Sequence, residues 1–191
     1  MKYAALIFRN LTWISQTLFF FKSQFAVILG LGLIAAFGRA AQLGAFGEVS
    51  SGFHVCLEVL IQSSRLLIFI YTLGLTNVRR AIFGVRDLFA NKNIRTANWQ
   101  IAIQKIRSEW PSLLANLFIY LLIALVINKL IDYAAYQTCL YYKLKSSEII
   151  SNKSSEWVII LFFKNLSVIP LTLVFNALFL LWITNKKASS F

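Results

Sequence analysis

FHVCLEVLIQSSRLLIFIYTLGLTNVRR, residues 53–80, is apolar along most of its length, yet it carries His54, Glu58, Gln62 and Arg65 in its first half. If only LLIFIYTLGLT (66–76) crossed a bilayer, eleven helical residues would rise about 16 Å, roughly half of the ~30 Å hydrocarbon core. The polar residues therefore lie inside a span placed near 54–76, or the segment re-enters without crossing. Steps of four, four and three residues put the four side chains along one side of a helix.

The rest of the chain settles the class of molecule. Of its 191 residues 59% are hydrophobic, 15% aromatic and only 14% charged, with a mean hydropathy of +0.70. A soluble domain is about 45–50% apolar and about 25% charged. Lipid rather than protein must cover much of this apolar surface, so the chain reads as an integral membrane protein. No linker divides it and no fixed-period repeat recurs, which gives a single membrane domain over 1–191.

Three further apolar runs complete the expectation. LFFFKSQFAVILGLGLIAAF (18–37) supports a span near 23–43, with Lys22 and Arg39 snorkelling at its ends. Its Gly30, Gly32, Ala36 and Ala40 suit close helix approach, within the monomer or at a dimer seam. Trp110-Pro111 opens a third span at 111–131, because proline at a first helical turn forfeits no hydrogen bond. The last run, 157–184, has 28 residues and a central Pro170, which predicts a kink or tilt. The fold class is thus all-α, a polytopic bundle of about four transmembrane helices.

Charge orients the spans. The net charge is +12, and segments 1–22, 77–110 and 185–191 hold twelve of the nineteen basic residues. Lys and Arg collect on the cytoplasmic side, so both termini are expected there, in a plasma or bacterial inner membrane. Residues 1–22 read as an interfacial amphipathic helix. The 77–110 connector carries Arg79, Arg80, Arg86, Arg95, Lys105 and Arg107, and suits anionic headgroups of the cytoplasmic leaflet or an acidic partner. The 132–156 loop is charge-balanced, three against three, and falls outside. Nucleic acid is not an expected partner, since no binding motif interleaves the basic residues.

Function is read from the polar residues of the spans. Glu58 and Arg65 are separated by about 10 Å of helical rise, so Gln62 is expected to bridge them. Lys129, Asp132, Lys164, Asn165 and Asn176 are candidate helpers from the later spans. In one reading the stripe joins helices or subunits, and the protein is a non-catalytic subunit or assembly factor of a larger membrane complex. In the alternative it lines a pathway for a proton, ion or small anion in a small oligomeric transporter, with the Pro170 break flanking the site. An enzyme is the weakest reading: a single His, no H-E-x-x-H, no G-x-S-x-G and no phosphate loop leave no catalytic set, and no cofactor or metal is expected. Partners are the bilayer and other membrane subunits, or further copies of the chain.

Cys56 and Cys139 both fall toward the outer side, where they could pair in an oxidising compartment; two unrelated thiols are the simpler reading. Asn152-Lys153-Ser154 matches a glycosylation sequon, which chance explains as well.

Overall fold

The computed structural model describes residues 12–79, 82–83, 86 and 92–184. The segment before residue 12, Arg80, Lys186 and Lys187 lie outside the described residues. The described residues form helices without strands: α1 Thr12–Ser23, α2 Phe25–Gln42, α3 Ser51–Leu73, α4 Lys92–Tyr136, α5 Leu140–Ser146, α6 Trp157–Leu166 and α7 Val168–Ile183. Four stretches are long and apolar enough to cross a membrane: Phe25–Gln42, Ser51–Leu73, Arg95–Tyr136 and Trp157–Ile183. The chain is an all-α, membrane-integral protein.

Two prolines interrupt the long helices as their chemistry requires. Pro111 offers no N–H to the carbonyl four residues earlier, and its ring crowds that carbonyl. The backbone of α4 breaks at Glu109 (φ −120°, ψ 22°), so the amphipathic stretch before it and the span after it are one kinked helix. Pro170 likewise leaves the carbonyl of Leu166 without its usual donor. The backbone breaks at Ser167 (φ −127°, ψ −79°), which separates α6 from α7.

The chain divides into two compact units whose boundaries fall within α3, α4 and α7. One unit comprises residues 1–23, 68–122 and 173–191. Its centre is Trp13, only 1% exposed. The ring of Trp13 lies 4.1 Å from that of Trp182 and 5.3 Å from that of Phe179. Such aromatic pairs add about 0.5–1.5 kcal/mol each beyond their buried area. Tyr120 stacks on Phe175 at 4.3 Å. The first turn of α1 has backbone donors with no partner inside the helix, and the buried Asn116 accepts from the Ile14 N–H at 3.1 Å. At the other end of the same aromatic group, Lys105 Nζ donates to the Trp182 carbonyl at 2.7 Å and stands 4.4 Å above the Trp182 ring. A cation there satisfies a last-turn carbonyl and meets the negative end of the α7 dipole.

The second unit comprises residues 24–67 and 123–172. Here α2 packs on α6, and the small residues allow it. A Cβ on Gly32 would stand 3.1 Å from the Asn165 carbonyl oxygen. Gly32, Ala36 and Ala40 are buried, so this stripe serves packing within the chain, whereas Gly30 is exposed. α2 ends in a Schellman motif: the Ala45 N–H donates to Ala40 and the Gly44 N–H to Ala41, with Gly44 at φ 74°. The same pattern ends α5, where Ile149 donates to Leu144 and Glu148 to Lys145, with Glu148 at φ 56°. The connection after α2 is tied to the loop before α6 by the Ser151 N–H, which donates to the Ala45 carbonyl at 2.7 Å. The buried Tyr141 hydroxyl donates to the Ser154 carbonyl at 2.6 Å.

Candidate functional site: a polar cluster at membrane depth

The second unit brings the polar residues of its spans into two groups. The first is built on Glu58 of α3. Arg39 near the end of α2 forms an ion pair with it, Nη1 to Oε2 at 3.1 Å. The second guanidinium nitrogen stands 3.5 Å from Oε1, and Gln42 Nε2 donates to Oε2 at 3.2 Å. Gln62 Nε2 donates to Oε1 at 2.7 Å. Gln42 also accepts from Arg39 at 2.8 Å and donates to the His54 backbone carbonyl at 3.0 Å. The carboxylate thus has three side-chain donors, two of them neutral amides, and one compensating charge.

The second group joins α3 to α6. Arg65 donates to Asn165 Oδ1 from Nη2 at 2.8 Å and from Nε at 3.3 Å. Asn165, 1% exposed, donates in turn to the Leu161 carbonyl at 2.7 Å. This back-bond to the preceding turn fixes the amide so that its oxygen faces the guanidinium. The partner of Arg65 is neutral, so no direct ion pair offsets this half-buried cation.

The stripe read from the sequence is therefore split. Glu58 and Gln62 meet as expected of neighbours one turn apart. Gln62 does not bridge Glu58 to Arg65, because the guanidinium reaches across to Asn165 instead. The His54 side chain is exposed, and its backbone carbonyl is the part used. Of the proposed helpers Asn165 takes part directly; Lys164 is half-buried, and Asn176 and Lys129 are exposed. Pro170 is buried three residues past the break at Ser167.

Arg39, expected to snorkel at the end of its span, is instead a main partner of Glu58, together with Gln42, which the sequence reading did not single out. The signal was present in the chain. Arg39 and Gln42 are i and i+3 on one face of α2, and the short 43–50 connection returns α3 close to them. Two helices joined by a short connection run side by side in opposite directions, so residues at similar distances from the turn become neighbours.

Elsewhere, Arg79, Arg86, Arg95 and Arg107 are exposed, as a surface-binding connector needs. Lys105 is not available for that role, being engaged with Trp182. Cys56 and Cys139 are both free, exposed thiols and are not joined to one another. Among the described residues no group of His, Cys, Asp and Glu is arranged to hold a metal ion. The chemistry within reach of the cluster is charge pairing and hydrogen bonding. No protein-family model, curated protein or solved structure matches the chain.

Proposed function

We propose that this chain is a non-catalytic subunit or assembly factor of a larger membrane complex, and that the Glu58–Gln62 face of α3 is where another membrane protein docks. The observation that carries this reading is the exposure of the cluster. The Glu58 side chain is 43% exposed and Gln62 is exposed, beside exposed Val55, Val59 and Leu66 on the same span. Polar groups facing hydrocarbon without partners are costly. Hydrogen bonds from a second protein would complete those of the carboxylate and the Gln62 amide, and the apolar neighbours would pack around them.

The positive-inside distribution supports a topology with both termini cytoplasmic in a plasma or bacterial inner membrane. The exposed Arg79, Arg86, Arg95 and Arg107 then meet anionic headgroups.

Mild-detergent extraction from the native membrane, followed by native mass and identification of co-purifying proteins, tests the reading. The expected result is a stoichiometric set of other membrane proteins. Interhelical hydrogen bonds reach about 1.7 kcal/mol, so Gln62→Leu should weaken the association by up to about twentyfold. A chain that emerges alone, with Gln62→Leu behaving as wild type, overturns it.

One observation favours a second reading. The Ser167 break lies two residues from Asn165, the neutral partner of the Arg65 cation. Discontinuous helices flank transport sites, so Arg65 would hold an anion and Glu58 would exchange a proton. Glu58→Gln would then abolish pH-dependent flux in reconstituted vesicles, whereas wild-type vesicles without flux would end that reading.

A further inference from the structure

The second unit also holds a partly open cavity of about 310 Å³, whose wall includes none of the residues of the polar cluster. Its wall includes Phe37 of α2, Ala45 of the following connection, Leu144 of α5, Ile150, and Ile159 and Phe163 of α6. No polar surface faces it. A buried water needs two to four polar partners, so water and hydrated solutes have no foothold here. The volume is about twice that of a dry apolar cavity of roughly 150 Å³ that takes up benzene. It also reaches the lower bound, about 300 Å³, of ordinary ligand pockets, which nonetheless carry a few orienting polar groups. An unfilled cavity leaves its lining without contact atoms on one side. The chemistry that fits is unbranched hydrocarbon.

The mouth and rim say where that hydrocarbon comes from. Phe37, Phe46 and Ile149 line the cavity and are exposed, so it opens outward. α5 contributes Leu140 and Leu144 to the wall, while Tyr142 and Lys143 on the same helix are exposed. Lys143 and Lys145 flank Leu144, and among the described residues neither forms an ion pair with a carboxylate. Lys145 Nζ instead stands 5.4 Å from the Tyr141 ring centroid and donates a long hydrogen bond, 3.4 Å, to the Tyr141 hydroxyl, which leaves its other two N–H groups for a phosphate. A short helix with Leu140, Tyr141 and Leu144 inward, Tyr142 and Lys143 outward and Lys145 at the boundary suits the headgroup level of a bilayer.

We infer that the cavity lined by α2, α5 and α6 holds one acyl chain of an anionic phospholipid, with Lys143 and Lys145 meeting its phosphate. Bulk lipid tails are as apolar as the wall. Retention of one particular lipid therefore depends on the shape of the cavity and on the two lysines.

The test is native mass spectrometry of the purified full chain, delipidated and reloaded with an equimolar mixture of phosphatidylglycerol and phosphatidylcholine. One phosphatidylglycerol per chain should be retained, favoured by about tenfold or more, as two near-surface lysines imply. Replacing both, Lys143→Gln with Lys145→Gln, should bring the ratio of the two lipids close to one. Leu144→Trp fills the cavity and should reduce retention of either lipid by about tenfold. Because an indole at that position could disturb folding, a second measurement uses the wild type alone. Phosphatidylglycerol with a diazirine at its tail should label residues 140–150 and 158–163. No retained lipid overturns the inference, as does label spread evenly over all four spans, or unchanged retention in a folded Leu144→Trp chain.

Discussion

Glu58 shows how far one charged side chain can organise a span. In an apolar helix it must find partners, and it recruits Arg39, Gln42 and Gln62 from two helices. The amides alone cannot balance its charge. Arg39→Leu should therefore destabilise the chain by about 1.5–3 kcal/mol, the range for hydrogen bonds to charged groups. Adding Glu58→Gln should restore much of that loss, because a neutral amide no longer needs the cation. Thermal unfolding of the detergent-solubilised variants decides the matter: a double variant as unstable as Arg39→Leu would show that Arg39 acts by packing. Arg65 solves a different problem. Its acceptor is an amide oxygen held by a back-bond, which orients the guanidinium without cancelling its charge.

Helices in this chain meet where small residues permit it and end where local chemistry stops them. A Cβ on Gly38 would lie 2.9 Å from Ile61 Cγ1, and Ile61 is fully buried. Gly38→Ala should therefore cost about 1–3 kcal/mol through overpacking. Ile61→Ala in the same chain should recover part of that loss by making room. A double-mutant cycle on melting temperature checks this; additive losses would place the strain elsewhere. The stops are equally local. Schellman motifs close α2 at Gly44, α3 at Leu75 and α5 at Glu148, and only the first has glycine at the left-handed position. Leu75 at φ 44° and Glu148 at φ 56° bear a steric cost that glycine avoids. At α5 the two ends of the motif, Leu144 and Ile149, line the same cavity.

For the chain as a whole the governing fact is the uneven distribution of its +12 charge. The topology proposed from it puts Cys139, a free and exposed thiol in the loop between the last two spans, on the outer side. A membrane-impermeant maleimide should label Cys139 in intact cells without reductant. Labelling that requires permeabilisation would invert the topology and carry the basic 77–110 connector to the opposite face.

The sequence by itself determined the membrane class, the helical fold and the number of spans, because hydrophobic length is a property of consecutive residues matched against a bilayer of known thickness. It also marked a kink at Pro170, three residues from the break at Ser167, whereas at Pro111, read as the start of a new helix, the structure has a kink at Glu109 within one long helix. It marked Glu58 and Arg65 as residues in need of partners, but it did not identify those partners. Only the tertiary structure decided that Arg39 and Gln42 serve Glu58 and that Asn165 serves Arg65. It alone showed that Lys105 caps the end of α7 at Trp182. Each of these depends on the rotation of one helix about its axis relative to another, and periodicity along a single helix holds no information about that angle.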